Sequence, residues 1–262
     1  MTLRPMVAYY GVGDPRHCAQ DFQEMARAFR TVVFPCSEEL ARLDAAGLRE
    51  RVRLARDLGL ETWVSPWGVA GLFGGEAISA VGHLCPRSCQ VRDVLAAWLE
   101  AAVAAAPDVL FWDEPNGTRC CGPEVVTALL LDLMDQTPAA LRHALYWNPE
   151  QCAILPEPVV ARCLTAGMDL YGRSPAAERL ATALALGQCH GVEPHVWVRA
   201  FQVPAGEEAA VAAMIQAAAA AGIERVGIWP WKAGATASLL ASERPALVWE
   251  TVLRALATSA AS

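Results

Sequence analysis

The sequence contains no Lys/Arg-rich run, and 28 acidic against 21 basic side chains leave a net charge of −7. Nucleic acids and anionic membranes attract a basic footprint, so the composition argues against both as main partners. Nor is there an uninterrupted apolar stretch of the roughly 20 residues needed to cross a bilayer. The alanine-rich segment 207–222 opens with two acids and reads as a helix of a globular core. Residues 1–10 pass almost directly into a strand-like pattern, without the charged, apolar and cleavage regions of a leader, so a cytoplasmic location is expected. Several catalytic signatures are missing too: there is no Gly-x-Ser-x-Gly elbow, no His-Glu-x-x-His metal motif, and the five histidines are scattered. Tyr10-Gly-Val-Gly-Asp14 leads into Pro15 without the third glycine of a dinucleotide-binding turn, and Pro204 and Pro230-Trp231 stand where a phosphate loop would need clustered glycines. No cofactor is implied, and a small-molecule or oligosaccharide substrate remains as the expected partner.

What the chain has is a repeated alternation. Short β-branched or aromatic runs at 6–10, 31–35, 61–66, 109–112, 144–147, 168–171, 195–201 and 225–229 are separated by helical periodicity at 19–28, 44–58, 91–106, 124–135, 158–165, 176–186, 207–221 and 245–257. Leu58-Gly59, Ala166-Gly167, Leu186-Gly187 and Ala221-Gly222 read as helix stops, since glycine accepts the left-handed cap conformation. Eight strands alternating with eight helices over 262 residues is the arithmetic of one (β/α)8 barrel domain; an open doubly wound sheet is the competing arrangement. The longest non-periodic stretch, 67–90, holds Gly68, Gly71, Gly74, Gly75 and Gly82 and is expected to fold over the barrel mouth as the third β-to-α loop.

The most informative segment is Asp108-Val-Leu-Phe-Trp-Asp-Glu-Pro-Asn116, an apolar strand that ends in two adjacent carboxylates and a proline. Neighbours within a strand point to opposite faces, so both acids reach one cleft only where the strand opens into a loop. Carboxylates held close raise one pKa, which makes an acid available near neutral pH. An acidic first helical turn, favoured by the helix dipole, would place the same pair without any chemistry. In a barrel the carboxyl ends of all strands converge on one mouth. These ends supply Tyr10, Trp67, Asp113 and Glu114, Trp147 and Asn148, Tyr171 and Arg173, Gln202, and Trp229, Trp231 and Lys232. Flat aromatic faces beside carboxylates and amides suit a sugar, which has apolar C–H faces and a rim of hydroxyls.

Phe111-Trp-Asp-Glu-Pro-Asn116 resembles the Asn-Glu-Pro motif at the end of strand four in the large clan of retaining (β/α)8 glycosidases, whose Glu is the general acid/base. Tyr171 and Trp229 also stand where that clan often has a Tyr and a Trp. Two positions depart from it: Asp113 replaces the clan's Asn, and Val196-Trp-Val-Arg-Ala-Phe-Gln202 ends without the Glu that serves there as nucleophile. The Asp-Glu pair also looks like that of N-acetylhexosaminidase-type glycosidases, in which the substrate's acetamido oxygen attacks. The resemblance implies Glu114 as acid/base and Asp113 as the group that orients the substrate or the nucleophile, with Tyr171 or Asn148 as hydrogen-bond partners. Asp14, Glu207 and Glu208 are further carboxylates, the last two reading as first-turn acids of a helix. The missing strand-seven carboxylate equally suits a saccharide-binding barrel without turnover.

Nine cysteines are many for a reducing compartment. Cys85, Cys89, Cys120 and Cys121 fall in two loops near the mouth, with His83 alongside. Reduced thiols, a structural zinc and a disulfide between the loops are all compatible with the Cys-x-x-x-Cys and Cys-Cys spacings.

Overall fold

A computed structural model of the chain describes residues 2–10, 15–116, 121–149, 156–171, 175–235 and 238–260. The strands β1 (Met6–Ala8), β2 (Thr31–Cys36), β3 (Glu61–Pro66), β4 (Val109–Asp113), β5 (Arg142–Tyr146), β6 (Thr165–Asp169), β7 (Glu193–Arg199) and β8 (Arg225–Trp229) pair in sequence order, all parallel. Met6 and Val7 of β1 meet Gly227 and Ile228 of β8, so the sheet closes and the chain forms a (β/α)8 barrel. Around it, among the described residues, lie α1 (Pro15–Met25), α2 (Glu38–Leu43), α3 (Ala45–Asp57), α4 (Cys89–Ala104), α5 (Pro123–Asp135), α6 (Glu157–Val160), α7 (Ala176–His190), α8 (Glu208–Ala220) and α9 (Pro245–Ala260).

The strands are buried on both faces because helices cover the outside and side chains fill the inside, which explains why they read as unbroken apolar runs. Trp63, Phe111, His195 and Trp197 pack against one another across the interior with ring centroids 5.5–6.4 Å apart. At the amino end of the barrel, Arg225 joins Glu61 (2.8 Å) and Glu193 (2.9 Å) while its guanidinium lies 5.4 Å over the Trp63 ring. Arg142 also reaches Glu61, at 3.1 Å. Opposite charges are thus paired at the closed end, away from the mouth.

Two glycine stops are placed differently from expectation. Gly167 lies inside β6, where a Cβ would stand 1.8 Å from the His195 carbonyl oxygen; the glycine lets β6 and β7 approach rather than ending a helix. Helix α7 continues through Gly187 to His190 and is capped by Gly191 at φ 65°. Helix α2 was not anticipated, since six residues are too few to establish a 3.6-residue period; its signal is the Ser37 cap, whose hydroxyl accepts from the Leu40 N–H. His143 and His195 lie within β5 and β7 and are buried. His143 stacks on Trp112 and His195 meets the Thr165 hydroxyl at 2.9 Å.

Gly167→Ala is expected to lower unfolding free energy by roughly 3 kcal/mol or more in urea titration, because the added methyl collides with backbone and not with a movable side chain. Burial lowers the pKa of His143 to about 4 and that of His195 to about 3, with the Arg162 and Arg225 charges as the smaller cause in each. Both rings are therefore neutral in the fold while the unfolded chain takes up protons near pH 6.5. Stability from neutral histidine is complete above that pH and falls as pH drops toward 4 and 3, by up to about 1.4 kcal/mol per pH unit for each ring. Urea midpoints measured from pH 7 to 4 should follow this slope, and His143→Gln should flatten it.

Candidate active site

β4 alternates as its sequence demands: Phe111 and Asp113 face the interior, while Trp112 faces outward against Phe73, Trp98 and His143. Glu114 should then point away from Asp113. It does not, because its backbone adopts φ 43°, a left-handed conformation that costs a non-glycine residue energy, and both carboxylates line one cavity. The Glu114 N–H donates to the Tyr146 carbonyl at 3.0 Å, and the Asn148 amide donates to Oε1 at 2.9 Å, so backbone and side chain are both held.

The cavity measures about 240 Å³, below the roughly 300–1,000 Å³ of drug-sized sites and suited to one small ring system. Tyr10, Trp67, Asp113, Glu114, Tyr171 and Trp229 line it together. Tyr10 stands edge-to-face with Trp67 (4.6 Å) and Trp229 (5.7 Å), which presents orthogonal ring faces to whatever enters. Among the described residues, the Tyr10 hydroxyl and the Trp197 indole N–H are buried without an acceptor for their protons. Unspent donors beside carboxylates match a ligand that both donates and accepts, as each hydroxyl of a polyol does.

Burial, and secondarily the Glu114 charge, hold the Asp113 carboxyl well above the usual carboxylate range. Burial also raises the phenols of Tyr10, Tyr146 and Tyr171, each with a neighbouring carboxylate adding to the effect. Burial thus favours the protonated, hydrogen-bond-donating form of each of these groups. The loop after β3 closes one wall: Gly74 N–H donates to the Asp113 carbonyl at 3.0 Å, and Gly74 and Gly75 line the cavity. A Cβ on Gly74 would lie 2.8 Å from Asp113 Oδ2, so a larger residue there would displace that carboxyl. Glu38 of α2 anchors the same loop by accepting from Ala70 N, Val81 N and the Ser79 hydroxyl at 2.8–2.9 Å.

Other expected site residues lie elsewhere. Trp231 is buried against Phe29 and Trp249, with centroids 6.2 and 4.7 Å away, and packs the shell. Lys232 pairs with Asp21 (3.1 Å) and Glu24 (2.8 Å). Gln202 donates to the Leu239 carbonyl, and Trp147 does not line the cavity. Glu207 and Glu208 form the start of α8, where Glu208 meets Arg244 at 2.7 Å. Arg173, Asp14 and Cys120 fall outside the described residues. Cys85 and Cys121 bring their sulfurs to 3.5 Å, Cys89 is exposed, and His83 Nδ1 meets the Gly71 carbonyl; among the described residues no group of three ligands is arranged for a metal. No helix among these residues is long and apolar enough to cross a membrane.

Tyr146, Trp197, Phe201 and Leu240 also line the cavity and were not anticipated. Tyr146 had a signal: it is the register partner of Asp113 and so shares its face, but the pairing of β4 with β5 cannot be known from either strand alone.

No family model and no curated protein matches the sequence. Solved structures do match in fold. The endo-1,4-beta-mannanase from Rhizomucor miehei is similar with TM-score 0.68 at 10% identity, over 98% of this chain and 95% of that one. The GH113 beta-mannanase from Alicyclobacillus acidocaldarius gives 0.63 at 11%, over 98% and 97%. A D-psicose 3-epimerase from Clostridium cellulolyticum H10 gives 0.60 at 11%, over 98% of both chains. At such identities these likenesses establish the barrel and nothing finer.

Asp113→Asn should raise stability at pH 7. A raised carboxyl pKa means that ionisation is penalised in the folded state, a cost absent while the group is protonated in both states and growing as pH climbs above the unfolded value near 4. The gain over wild type, read from urea midpoints, should therefore vanish at pH 4 and appear by pH 7.

Proposed function

We propose that this barrel is a glycoside hydrolase with Glu114 as general acid/base. The observation that carries the reading is the Asp113-Glu114 pair, turned into one aromatic cavity by the left-handed backbone of Glu114. A backbone conformation of that kind persists only where the surroundings enforce it, and it clusters at functional sites. Glu114 would protonate the departing glycosidic oxygen, and Asp113 beside it would orient the sugar or the attacking group. Asn148 sets the angle of the acid through its amide. Tyr10, Trp67 and Trp229 would hold the ring faces, and the unspent Tyr10 and Trp197 donors would meet sugar hydroxyls. Trp147 and Tyr171 belong to the strand ends around the same mouth, as do Gln202, Trp231 and Lys232, although the contacts of the last three point to support of the loops; Arg173 is expected to bind substrate on the sequence alone. The beta-mannanase neighbours support a carbohydrate substrate, and an epimerase of a free sugar among the same neighbours supports the broader class of sugar-handling barrels.

A second reading, saccharide binding without turnover, draws on β7, which ends in Arg199 and not in a carboxylate. A panel of activated aryl glycosides that includes N-acetylhexosaminides separates the two. Glu114→Gln should cut turnover by roughly 10²–10⁴-fold, the usual contribution of a general acid/base, while leaving the unfolding midpoint in place. Wild-type rates in that variant would remove Glu114 from the mechanism. Saturable binding that depends on Trp67 or Trp229, with no turnover of any member, would establish the binding barrel instead.

A further inference from the structure

The two carboxylates that line the cavity both come from the end of β4. A further polar group stands on the neighbouring strand, where Tyr146 of β5 is the register partner of Asp113. Tyr146 lines the cavity, and its hydroxyl donates to Asp169 Oδ2. Asp169, at the end of β6, is buried behind Tyr146 and does not itself line the cavity. Its other oxygen is already engaged: Oδ1 accepts from the Tyr171 N–H at 3.0 Å and faces the Arg179 guanidinium at 2.7 Å. Arg179, equally buried, also donates from Nε to the Asp169 carbonyl at 2.8 Å, which leaves the carboxylate one orientation. A buried ion pair is a poor way to add stability, since desolvation offsets most of the attraction. Here it has a geometric result, for it directs one carboxylate lone pair at one cavity-facing phenol. Nucleophile, base and orienting group in hydrogen-bonded series is the arrangement by which enzymes activate a hydroxyl.

We propose that Tyr146 is the catalytic nucleophile of this site and Asp169 its base, an assignment that rests on the glycosidase reading above. In the first step Tyr146 Oη bonds to the anomeric carbon as the bond to the leaving oxygen breaks. The phenolic proton passes to Asp169 and the Glu114 proton passes to the leaving oxygen. In the second step Glu114, now a carboxylate, takes a proton from water; the water oxygen bonds to the anomeric carbon, the bond to Tyr146 breaks, and Asp169 returns the proton to the phenolate. Two displacements at one carbon retain configuration, and water is the only co-reactant. A phenol suits this cavity because a third carboxylate beside Asp113 and Glu114 would be one more charge to desolvate. Burial keeps the Tyr146 phenol neutral at rest, with Tyr171, Glu114 and Asp169 contributing in the same direction, so its proton leaves only as the new bond forms.

The test is to incubate the full chain with 2,4-dinitrophenyl 2-deoxy-2-fluoroglycosides of gluco, galacto and manno configuration, then to locate any adduct by intact mass and peptide mapping. The fluorine slows the second step and lets the covalent intermediate accumulate. The expected result is one fluoroglycosyl unit on Tyr146, absent in Tyr146→Phe, with that variant's turnover of the parent aryl glycoside down roughly 10³-fold or more. Asp169→Asn should lose the dinitrophenolate burst while its unfolding midpoint shows a folded protein. An adduct on a different residue, inverted product by NMR, or Tyr146→Phe turning over within about threefold of wild type would overturn the assignment and leave the glycosidase reading standing. The same holds for turnover confined to 2-acetamido sugars with no adduct. Absence of any turnover or labelling in the wild type would remove both.

Discussion

The mouth of this barrel is organised around the burial of the Asp113 carboxyl. A carboxylate in an apolar enclosure is strongly disfavoured, and among the described residues no cation is paired with Asp113. The group is kept instead beside Tyr10, Tyr171 and the bare backbone of Gly74, and burial shifts it toward the neutral acid. The Gly74 approach brings Gly74 and Gly75 of the loop after β3 against the cavity, and Glu38 of α2 fastens a further part of that loop. Glu114 must leave the alternation of β4 to join Asp113, and the strain of doing so is borne at the one residue where it sets two acids side by side.

Charge is distributed along the barrel axis in a way that fits this demand. The amino end carries the paired Arg225, Glu61, Glu193 and Arg142, where opposite charges hold the strand starts together. Aromatic rings and His195, kept neutral by burial, occupy the middle. The carboxyl end holds Asp113, Glu114 and the Tyr146–Asp169–Arg179 series. The ion pairs that hold the strand starts and the acids and phenols at the mouth thus lie at opposite ends of the barrel.

How far the chain could be read from its letters varied with the range of the interactions involved. Period-two and 3.6-residue patterns located every strand, because burial on both faces makes each a near-continuous apolar run. Two misplaced boundaries came from glycine, while the first helix begins at Pro15 and ends at Met25 where 19–28 was expected. Gly167 and Gly187 resemble helix stops locally, yet Gly167 is required by the His195 carbonyl in the next strand and Gly187 sits against Pro194 and Val192. The six-residue α2 was too short to show a period, and its partner contacts with the loop after β3 are invisible without the fold. Tyr10, Trp67, Tyr171 and Trp229 could be placed at the mouth because they stand at strand ends. Trp231 could not be told from them, since a shift of two residues beyond β8 carries it onto Phe29 and Trp249.

The amino-acid sequence by itself determined that eight apolar strands alternate with helices and that two adjacent acids close the fourth, since periodicity and residue type are local properties. Only the tertiary structure decided that Glu114 turns back to share a cavity with Asp113, that Tyr146 stands beside them, and that Asp169 and Arg179 wait behind that phenol. Those relations follow from strand register and barrel closure, which bring together residues far apart in the chain and leave no trace in the spacing along it.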